Sequence, residues 1–407
     1  MAFKSVMESI SDHFRPKMDA VGVTHNGPLT ADDAFIERSV NQPQPKPDEL
    51  LVQVLASSVN PVDVKMRSGY QDKGVFRIFG LDVVGRVYAV GAAVKDFAVG
   101  DRVYYVGKQH HPGADAAYQV INAKMVAKAP EKLDDVSVAA MPLTSVTAYD
   151  ILHHGLHLPV EKDAAKGQNL LVINGAGGVG SVLIQLAKYI GMTVIATAGT
   201  TDSKEWVRQL GADLVLDYHQ NLDRQLNDSG YETVDAIANL QDTTDYWDFM
   251  VRVIRPYGEI AAIVDTTLPV DLGALKSKSA SFSWIFMLAR GNYNVDLEEQ
   301  GQILKKMAEL LDKGIVRSTV TKVYHGLSAY SIRSAFQDVA GHHAIGKVVV
   351  DFAPNIKAAN EIGRGLSESA DQQSNFSDGP DNVQEKDGQA EKTGKSKLND
   401  ENATTRY

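Results

Sequence analysis

Cysteine is absent from all 407 residues, and this absence excludes several kinds of chemistry at once. Disulfide scaffolds, thiolate zinc sites, iron–sulfur clusters and cysteine nucleophiles all need a thiol. Basic residues are also outnumbered, because 41 Lys and Arg stand against 51 Asp and Glu, for a formal net charge of −10. Phosphate backbones and anionic membranes attract proteins with a surplus of positive charge, so we expect neither a nucleic acid nor a membrane as partner.

Long apolar runs are missing as well. No stretch approaches the roughly 18 apolar residues that a membrane helix needs. The opening segment Met1–Pro16 contains acidic residues and lacks the apolar core of a signal peptide, so we expect a cytoplasmic protein. What is present is ordinary globular composition, with 44% hydrophobic and 23% charged residues, and a length that favours two domains.

Two different hydrophobic patterns divide the chain. Short runs rich in β-branched residues and bounded by glycine, such as Leu50–Val59, predict a small β-rich unit in the first third. From Asn169–Asn174 onward, short apolar strands alternate with helical patterns as far as Ile260–Val264, which predicts a parallel sheet covered by helices. The last strand, Gly346–Phe352, is expected to return to the β-rich unit. The fold class is therefore α/β, with a predicted division into an N-terminal extension (1–17), a discontinuous β-rich domain (18–145 and 280–353), a parallel-sheet domain (146–279) and a disordered polar tail (354–407).

The strongest chemical signal is a glycine-rich turn between the strand Asn169–Asn174 and a helical pattern. Gly175, Gly177 and Gly180 form a G-x-G-x-x-G motif, with Gly178 and Val179 between them. Glycine permits a tight turn and a close approach of the backbone to a pyrophosphate, and the helix N-terminus attracts negative charge. We predict that these five residues bind a dinucleotide; a purely structural turn is the alternative.

The end of the second strand of this region indicates which dinucleotide is bound. NAD-binding proteins place an acidic residue there for the ribose 2′-hydroxyl, but this sequence has Thr200 and Thr201, with Lys204 close behind. Hydroxyls and an ammonium suit a 2′-phosphate, so NADPH is favoured over NADH. Asp202 argues in the opposite direction, unless it serves as an acidic N-terminal residue of the helix.

These motifs resemble the medium-chain dehydrogenase/reductase superfamily over residues 18–352. The sequence looks most similar to the quinone oxidoreductase (ζ-crystallin-like) branch and to "zinc-type alcohol dehydrogenase-like" proteins. The resemblance implies a GroES-like catalytic domain, a Rossmann cofactor domain and a homodimer. Besides the glycine loop it rests on five segments in the family's order: Val59–Lys65, Gly80–Gly85, Phe97–Val103, Pro142–Tyr149 and Ile345–Val349.

Zinc is not expected, although some relatives use it. Zinc-dependent members hold the metal with a Cys, a His-Glu pair and a further Cys, whereas this chain has Asn60 at the first position and Leu81-Asp82 in place of His-Glu. His153 and His157 have helical spacing, but Gly155 interrupts it. We interpret these histidines as solvent-facing loop residues and predict no metal site.

The resemblance also implies individual roles, and each has a structural alternative. Asn60 would face the nicotinamide, or would be a turn residue before a proline. Lys65 stands where some relatives have a substrate-pocket tyrosine; it would donate a proton or pair with the cofactor phosphate, or be an exposed surface lysine. Thr147 would lie near the nicotinamide ribose, or be a helix hydroxyl. Tyr218 would flank the adenosine phosphate, or be a core aromatic, and Lys347 would contact the cofactor in the cleft, or be a surface charge.

The predicted activity is hydride transfer from NADPH to a small-molecule electron acceptor, without metal. Quinones and other conjugated carbonyl compounds delocalise the incoming charge themselves, so they do not need a Lewis acid. The alternatives are a 2-alkenal or enoyl reductase of the same fold, and an NADPH-binding sensor without turnover. Zinc-dependent alcohol oxidation is the least supported alternative.

Overall fold

The computed structural model describes residues 15–71, 74–341 and 343–353. The predicted disordered tail (354–407) and nearly all of the predicted extension (1–17) lie outside these described residues. Within the described part of the chain, no helix has both the length and the apolar character needed to cross a membrane.

The β-rich part is organised around one long strand. Strand β3 pairs antiparallel with β5 along one edge, and along the other edge with β7 at its start and β16 at its end. A separate three-stranded sheet has the order β2-β1-β4. The strands concerned are β1 (Lys17–Val23), β2 (Ile36–Asn41), β3 (Glu49–Val59), β4 (Arg77–Ile78), β5 (Asp82–Val90), β6 (Arg102–Val106), β7 (Tyr118–Asn122), β8 (Val126–Lys128), β15 (Val320–His325) and β16 (Lys347–Asp351).

The middle of the chain forms a six-stranded sheet in which every pairing is parallel. Its strands are β9 (Asn169–Ile173), β10 (Thr193–Thr197), β11 (Leu214–Leu216), β12 (Val234–Asn239), β13 (Ile254–Ala262) and β14 (Ser281–Trp284). The spatial order β11-β10-β9-β12-β13-β14 reverses direction at β9, which is the strand order of the Rossmann fold. The α/β class and the pairing of a β-rich part with a Rossmann sheet are thereby confirmed.

Helices cover the Rossmann sheet and join it to the β-rich part. Apolar residues on their inner faces fall into three clusters: one is shared between both regions, one lies against the parallel sheet, and one lies against β1 and β16. The helices are α1 (Pro61–Ser68), α2 (Asp135–Ala139), α3 (Pro142–Asp150), α4 (Gly178–Tyr189), α5 (Thr201–Gln209), α6 (Leu222–Asp228), α7 (Thr243–Val253), α8 (Ala289–Tyr293), α9 (Leu297–Asp312) and α10 (Ala329–Ala340).

The parallel sheet extends further along the chain than its pattern indicates. Strand β14 pairs with β13 beyond residue 279, where the cofactor domain was expected to end. Its sequence, Ser-Phe-Ser-Trp, lacks the continuous apolar run by which buried parallel strands are identified, because β14 lies at the edge of the sheet. The predicted boundary is therefore too early.

Helix α9 is fastened to the β-rich sheet by side-chain hydrogen bonds. Gln300 is buried and its Nε2 donates to the carbonyls of Val106 and Met125, each at 3.1 Å. The hydroxyl of Tyr104, on β6, donates to the carbonyl of Leu304. These bonds satisfy polar groups that the core would otherwise leave without partners.

Two adjacent buried tyrosines on β6 provide a matched test of this attachment. Tyr104 and Tyr105 are both fully buried, but the Tyr105 hydroxyl has no hydrogen-bond partner among the described residues. We expect Tyr104→Phe to lower the free energy of unfolding by about 1 kcal/mol, since it removes the hydrogen bond to the Leu304 carbonyl. Tyr105→Phe should be neutral or stabilising. Urea unfolding of both variants measures the difference, and equal losses would contradict this account.

Candidate active site

The glycine-rich turn joins β9 to α4 at the carboxyl edge of the parallel sheet. Asn174 adopts a left-handed backbone conformation (φ 64°), which turns the chain sharply after the strand. Its N–H donates to Thr197 Oγ1 at 2.9 Å, and the Gly175 N–H donates to the Thr197 carbonyl at 3.1 Å. The end of β10 therefore holds the start of the turn in place.

Two glycines in this turn are required by close approach. A Cβ on Gly180 would lie 2.6 Å from the carbonyl oxygens of Asn174 and Gly175, so only glycine lets α4 begin against the turn. A Cβ on Gly178 would lie 2.8 Å from Lys347 Cδ and 3.2 Å from Thr144 Cγ2. Gly178 is thus the point at which α3 and β16 touch the turn.

The start of α4 presents backbone N–H groups without a competing acid. Gly177 is the N-cap, no acidic residue lies in the first turn, and Gly177, Gly178 and Val179 all keep part of their surface exposed. The first N–H groups of a helix have no partner inside it and attract an anion. The turn that the sequence predicts to bind a pyrophosphate therefore fits one.

The 2′-phosphate candidates come together at the start of α5, but two are already engaged. Thr200 is the N-cap, and its Oγ1 accepts the N–H of Ser203 at 3.1 Å. Lys204 Nζ lies 2.8 Å from Asp217 Oδ2, which follows β11. Thr201 is exposed on the first turn of the helix. Ser203 closes the capping box by accepting the Thr200 N–H at 3.0 Å.

Tyr218 lies over the end of β10. A Cβ on Gly199 would lie 2.4 Å from Tyr218 Cζ, so the ring covers that glycine. The tyrosine is 43% exposed, and this exposure contradicts the alternative of a core aromatic. Tyr218 also lines an open cavity of about 400 Å³ together with Gln241 and Tyr246. An aromatic ring in this place can flank an adenosine.

A cluster of buried polar side chains lies behind the turn, centred on Asp82. The Asp82 side chain is fully buried, and Oδ2 accepts from Ser58 Oγ at 2.6 Å, Asn60 Nδ2 at 2.8 Å and Lys347 Nζ at 3.2 Å. Its Oδ1 accepts the N–H of Leu143 at 2.6 Å, at the start of α3. One carboxylate thus links three strands, β3, β5 and β16, to a helix that packs beside the glycine turn.

This cluster corrects the predicted role of Asn60. The residue is only 2% exposed. Its Oδ1 accepts a hydrogen bond from Lys347 Nζ, while its Nδ2 donates to Asp82 and, at 3.2 Å, to Asp63. The amide is fully used inside the protein, so Asn60 cannot face a nicotinamide in this arrangement.

Lys347 is corrected in the same way. Its ammonium is hydrogen-bonded to Asn60, Asp82 and the Val59 carbonyl, and the residue is 3% exposed. It is therefore neither a phosphate ligand in the cleft nor a surface charge. Only its aliphatic stem touches the glycine turn, at Gly178.

The remaining two predicted residues match their structural alternatives. Thr147 is buried in α3, and its hydroxyl donates to the Leu143 carbonyl at 2.7 Å, so it is not free to meet a ribose. Lys65 lies on α1 with its Nζ exposed and 3.8 Å from Asp265, beyond the end of β13. It takes no part in the buried cluster and remains accessible to solvent.

The residues at the family's zinc positions do not fit a zinc ion. Leu81 offers an aliphatic side chain, and Asn60 offers a single amide oxygen that is bonded to the Lys347 ammonium. The Asp82 carboxylate already accepts four hydrogen bonds, one of them from the same ammonium. Zinc requires three or four nitrogen, sulfur or carboxylate ligands and is repelled by a neighbouring ammonium.

A second group of residues has metal-binding types but is held together by an arginine. Ligand atoms of His153, His154 and Glu299 lie within 4.8 Å of one another. Arg290 donates to Glu299 and, through two bonds of 2.7 and 3.0 Å, to Asp150, and its Nη2 lies 3.1 Å from His154 Nε2. A guanidinium already compensates the carboxylates, so this is an ion-pair network. Spacing within one helix did not predict it, because Glu299 comes from α9.

The sequence reasoning missed Ser58, Asp63 and Asp115. The spacing Asn60-x-x-Asp63 before a helix was an available signal, since Asp63 Oδ2 accepts the N–H of Asn60 at 2.9 Å. Burial raises the pKa of Asp63 to about 7, with Asp82 acting in the same direction. Burial likewise raises the pKa of Asp115 well above its usual range, and nearby Asp63 adds to that effect. Nothing in the sequence around Asp115 announces a buried acid.

Comparison with known proteins places this geometry in a family. Residues 46–131 match the pattern of the alcohol dehydrogenase GroES-like domain, and residues 210–350 match that of zinc-binding dehydrogenases. The chain is 39% identical over 335 residues to a "zinc-type alcohol dehydrogenase-like protein" of Staphylococcus epidermidis, covering 82% of this chain and 99% of that protein.

Two further relatives carry information about the cofactor in their names. A chloroplastic "NADPH-dependent alkenal/one oxidoreductase" of Arabidopsis thaliana is 32% identical over 327 residues, covering 77% of this chain and 75% of that protein. A mycobacterial protein solved in complex with NADPH superposes with a TM-score of 0.70 at 27% identity, covering 82% of this chain and 99% of that structure.

The fold, the glycine turn and these similarities define a nicotinamide-dependent oxidoreductase. The chain belongs to the medium-chain dehydrogenase/reductase superfamily, among its zinc-type alcohol dehydrogenase-like members.

Asp63 makes the stability of the protein depend on pH in a defined direction. Its folded-state pKa of about 7 is above the ordinary value of 3.8, so the folded state binds the proton more tightly. The stabilisation is fully present below pH 4 and is lost as pH rises towards 7. We expect Asp63→Asn to be more stable relative to wild type at pH 7 than at pH 4, by up to roughly 4 kcal/mol.

Urea unfolding of both proteins at several pH values measures this difference. Asp82 and Lys347 face Asp63, and Asp115 titrates in the same direction, so the comparison with the variant is needed to isolate one group. A stability difference that does not change between pH 4 and pH 7 would show that Asp63 titrates normally.

Proposed function

We propose that this protein is an NADPH-dependent, zinc-independent reductase whose acceptor is a quinone or another conjugated carbonyl compound. The observation that carries the proposal is the occupation of the zinc positions by Leu81 and by Asn60, whose amide oxygen is bonded to the Lys347 ammonium. No Lewis acid is available from these residues, and NADPH when bound supplies a hydride. The acceptor must then spread the incoming charge over its own conjugated system.

The chain itself contributes binding and position in this proposal. The N–H groups at the start of α4 hold the pyrophosphate, and Gly180 keeps them in place. Thr201 and Lys204 lie where a 2′-phosphate would meet α5, and Tyr218 flanks the adenosine side. Lys65 is the accessible ammonium that we retain as candidate proton donor.

The similarity to the alkenal/one oxidoreductase supports the class of conjugated carbonyl acceptors, and the resemblance to the quinone oxidoreductase branch supports quinones. Steady-state oxidation of NADPH against a panel of quinones and a panel of 2-alkenals separates the two. A simple ketone panel, with and without added zinc, is the control. Turnover that requires zinc would overturn zinc independence, and no turnover on any panel would favour a sensor.

Lys65→Met tests the proton donor through the pH profile of kcat.

Cofactor preference can be tested at Lys204 with a matched control. Lys204 pairs with Asp217 at 2.8 Å after β11, and Lys188 pairs with Asp213 at 2.8 Å before the same strand. We expect Lys204→Met to weaken NADPH at least about tenfold and NADH much less, because the Asp217 carboxylate then faces the 2′-phosphate alone. Lys188→Met should leave both affinities unchanged. Titration calorimetry measures them; equal binding of NADH and NADPH by wild type would contradict the assignment.

We also propose that the protein forms a homodimer through β14. This strand lies at the edge of the parallel sheet, and Trp284 and Phe286 are about half exposed beside it. An unprotected edge with exposed aromatics suits pairing with a second copy across a two-fold axis. We expect Trp284→Lys to give a monomer by light scattering, whereas Tyr330→Lys, at an even more exposed aromatic on α10, should not. Two monomeric or two dimeric variants would exclude this interface.

A further inference from the structure

The Lys347 ammonium is surrounded in the way a bound metal ion would be. Three oxygens accept its hydrogen bonds: Asn60 Oδ1, Asp82 Oδ2 at 3.2 Å and the Val59 carbonyl at 3.1 Å. The lysine and both side-chain partners are at most 3% exposed. A cation so buried is retained only when its charge and its hydrogen bonds are compensated, and here both conditions are met.

The position of this ammonium is what distinguishes it from an ordinary buried ion pair. Asn60 and Asp82 are the residues at two of the positions where zinc-dependent relatives have a ligand Cys and the Glu of a His-Glu pair. The ammonium contacts both of them, while the third position, Leu81, is a buried aliphatic side chain. A divalent cation beside Asn60 would meet a positive charge at hydrogen-bond distance.

The aliphatic stem of the same lysine reaches the glycine turn. A Cβ on Gly178 would lie 2.8 Å from Lys347 Cδ, and the neighbouring Gly346 N–H donates to the Ala176 carbonyl at 2.9 Å. The Asp82 carboxylate, on the other side of the ammonium, accepts from the start of α3. The charge of Lys347 therefore connects the β-rich sheet to α3 through Asp82, while its stem contacts the glycine turn.

We propose that Lys347 is a built-in cation: its ammonium holds Asn60 and Asp82 in position behind the glycine turn and keeps a divalent ion from binding between them. Lys347 is in this sense a positioning residue, since its ammonium touches neither cofactor nor substrate. The inference rests on the zinc independence proposed above, but its tests do not depend on turnover.

The first test is chemical rescue of the full-length protein. Lys347→Ala removes the charge and leaves a cavity lined by three oxygens, so its thermal midpoint should fall by several degrees. n-Propylammonium, which matches the missing part of the side chain, should restore most of that loss and tighten NADPH binding. Tetramethylammonium, which has no N–H donor, should not. Equal effects of the two ions would overturn the proposal.

The second test asks whether the vacated position accepts a metal. Oxygen ligands suit Mn²⁺, whose binding is followed by its electron paramagnetic resonance signal. Wild type should retain no stoichiometric Mn²⁺ or Zn²⁺ after gel filtration, whereas Lys347→Ala should bind about one Mn²⁺. The double variant Lys347→Ala/Asp82→Asn should lose this ion. Stoichiometric metal in wild type, or none in the single variant, would contradict the inference.

If Lys347→Ala does not fold, two single variants and their charge-neutral double variant test the same proposal. Lys347→Met leaves the Asp82 carboxylate buried without its cation, and Asp82→Asn leaves the ammonium without its anion. We expect the double variant Lys347→Met/Asp82→Asn to melt at a higher temperature than either single variant, and Lys347→Arg to melt above Lys347→Met. Additive losses in the double variant would show that the charge itself has no positioning role.

Discussion

One buried carboxylate, that of Asp82, determines how the β-rich sheet meets the helix α3 at the candidate active site. Its two oxygens receive four donors, from Ser58, Asn60, Lys347 and the backbone of Leu143. A fully buried carboxylate is tolerated only when such compensation is complete, and each donor lies on an element that must therefore be present and in register. Since α3 starts at this carboxylate and packs on the glycine turn, the cofactor-binding backbone depends on it.

This arrangement separates position from binding. Inside the protein, Asn60 and Lys347 are hydrogen-bonded to each other, and Thr147 is hydrogen-bonded to the backbone. These residues therefore shape the site without forming part of its exposed surface. The surface left for ligands consists of helix N-terminal amides, glycine backbone and a few exposed side chains. Such a site binds anions well and offers little acid–base or Lewis-acid help, which agrees with an acceptor that accommodates charge by itself.

The sequence predicted the elements whose signals are local. Strand β9 begins at Asn169 as predicted, and the glycine turn lies between β9 and α4 as expected. The sequence pattern did not predict strand β14, because an edge strand need not be continuously apolar. The assignments of Asn60, Thr147 and Lys347 to the cleft failed for a different reason: a motif states where a residue lies along the chain, but its exposure depends on what packs over it.

The sequence by itself determined the absence of thiol chemistry, the alternation of strands and helices and the conformation of the glycine turn, since each follows from residue type and near neighbours. Only the tertiary structure decided that Lys347 would contact Asn60, 287 residues earlier in the chain, and that this contact would be buried. Local spacing carries no information about such a contact. Burial and charge compensation are set by the packing of distant segments, and these two quantities assign the polar residues their tasks.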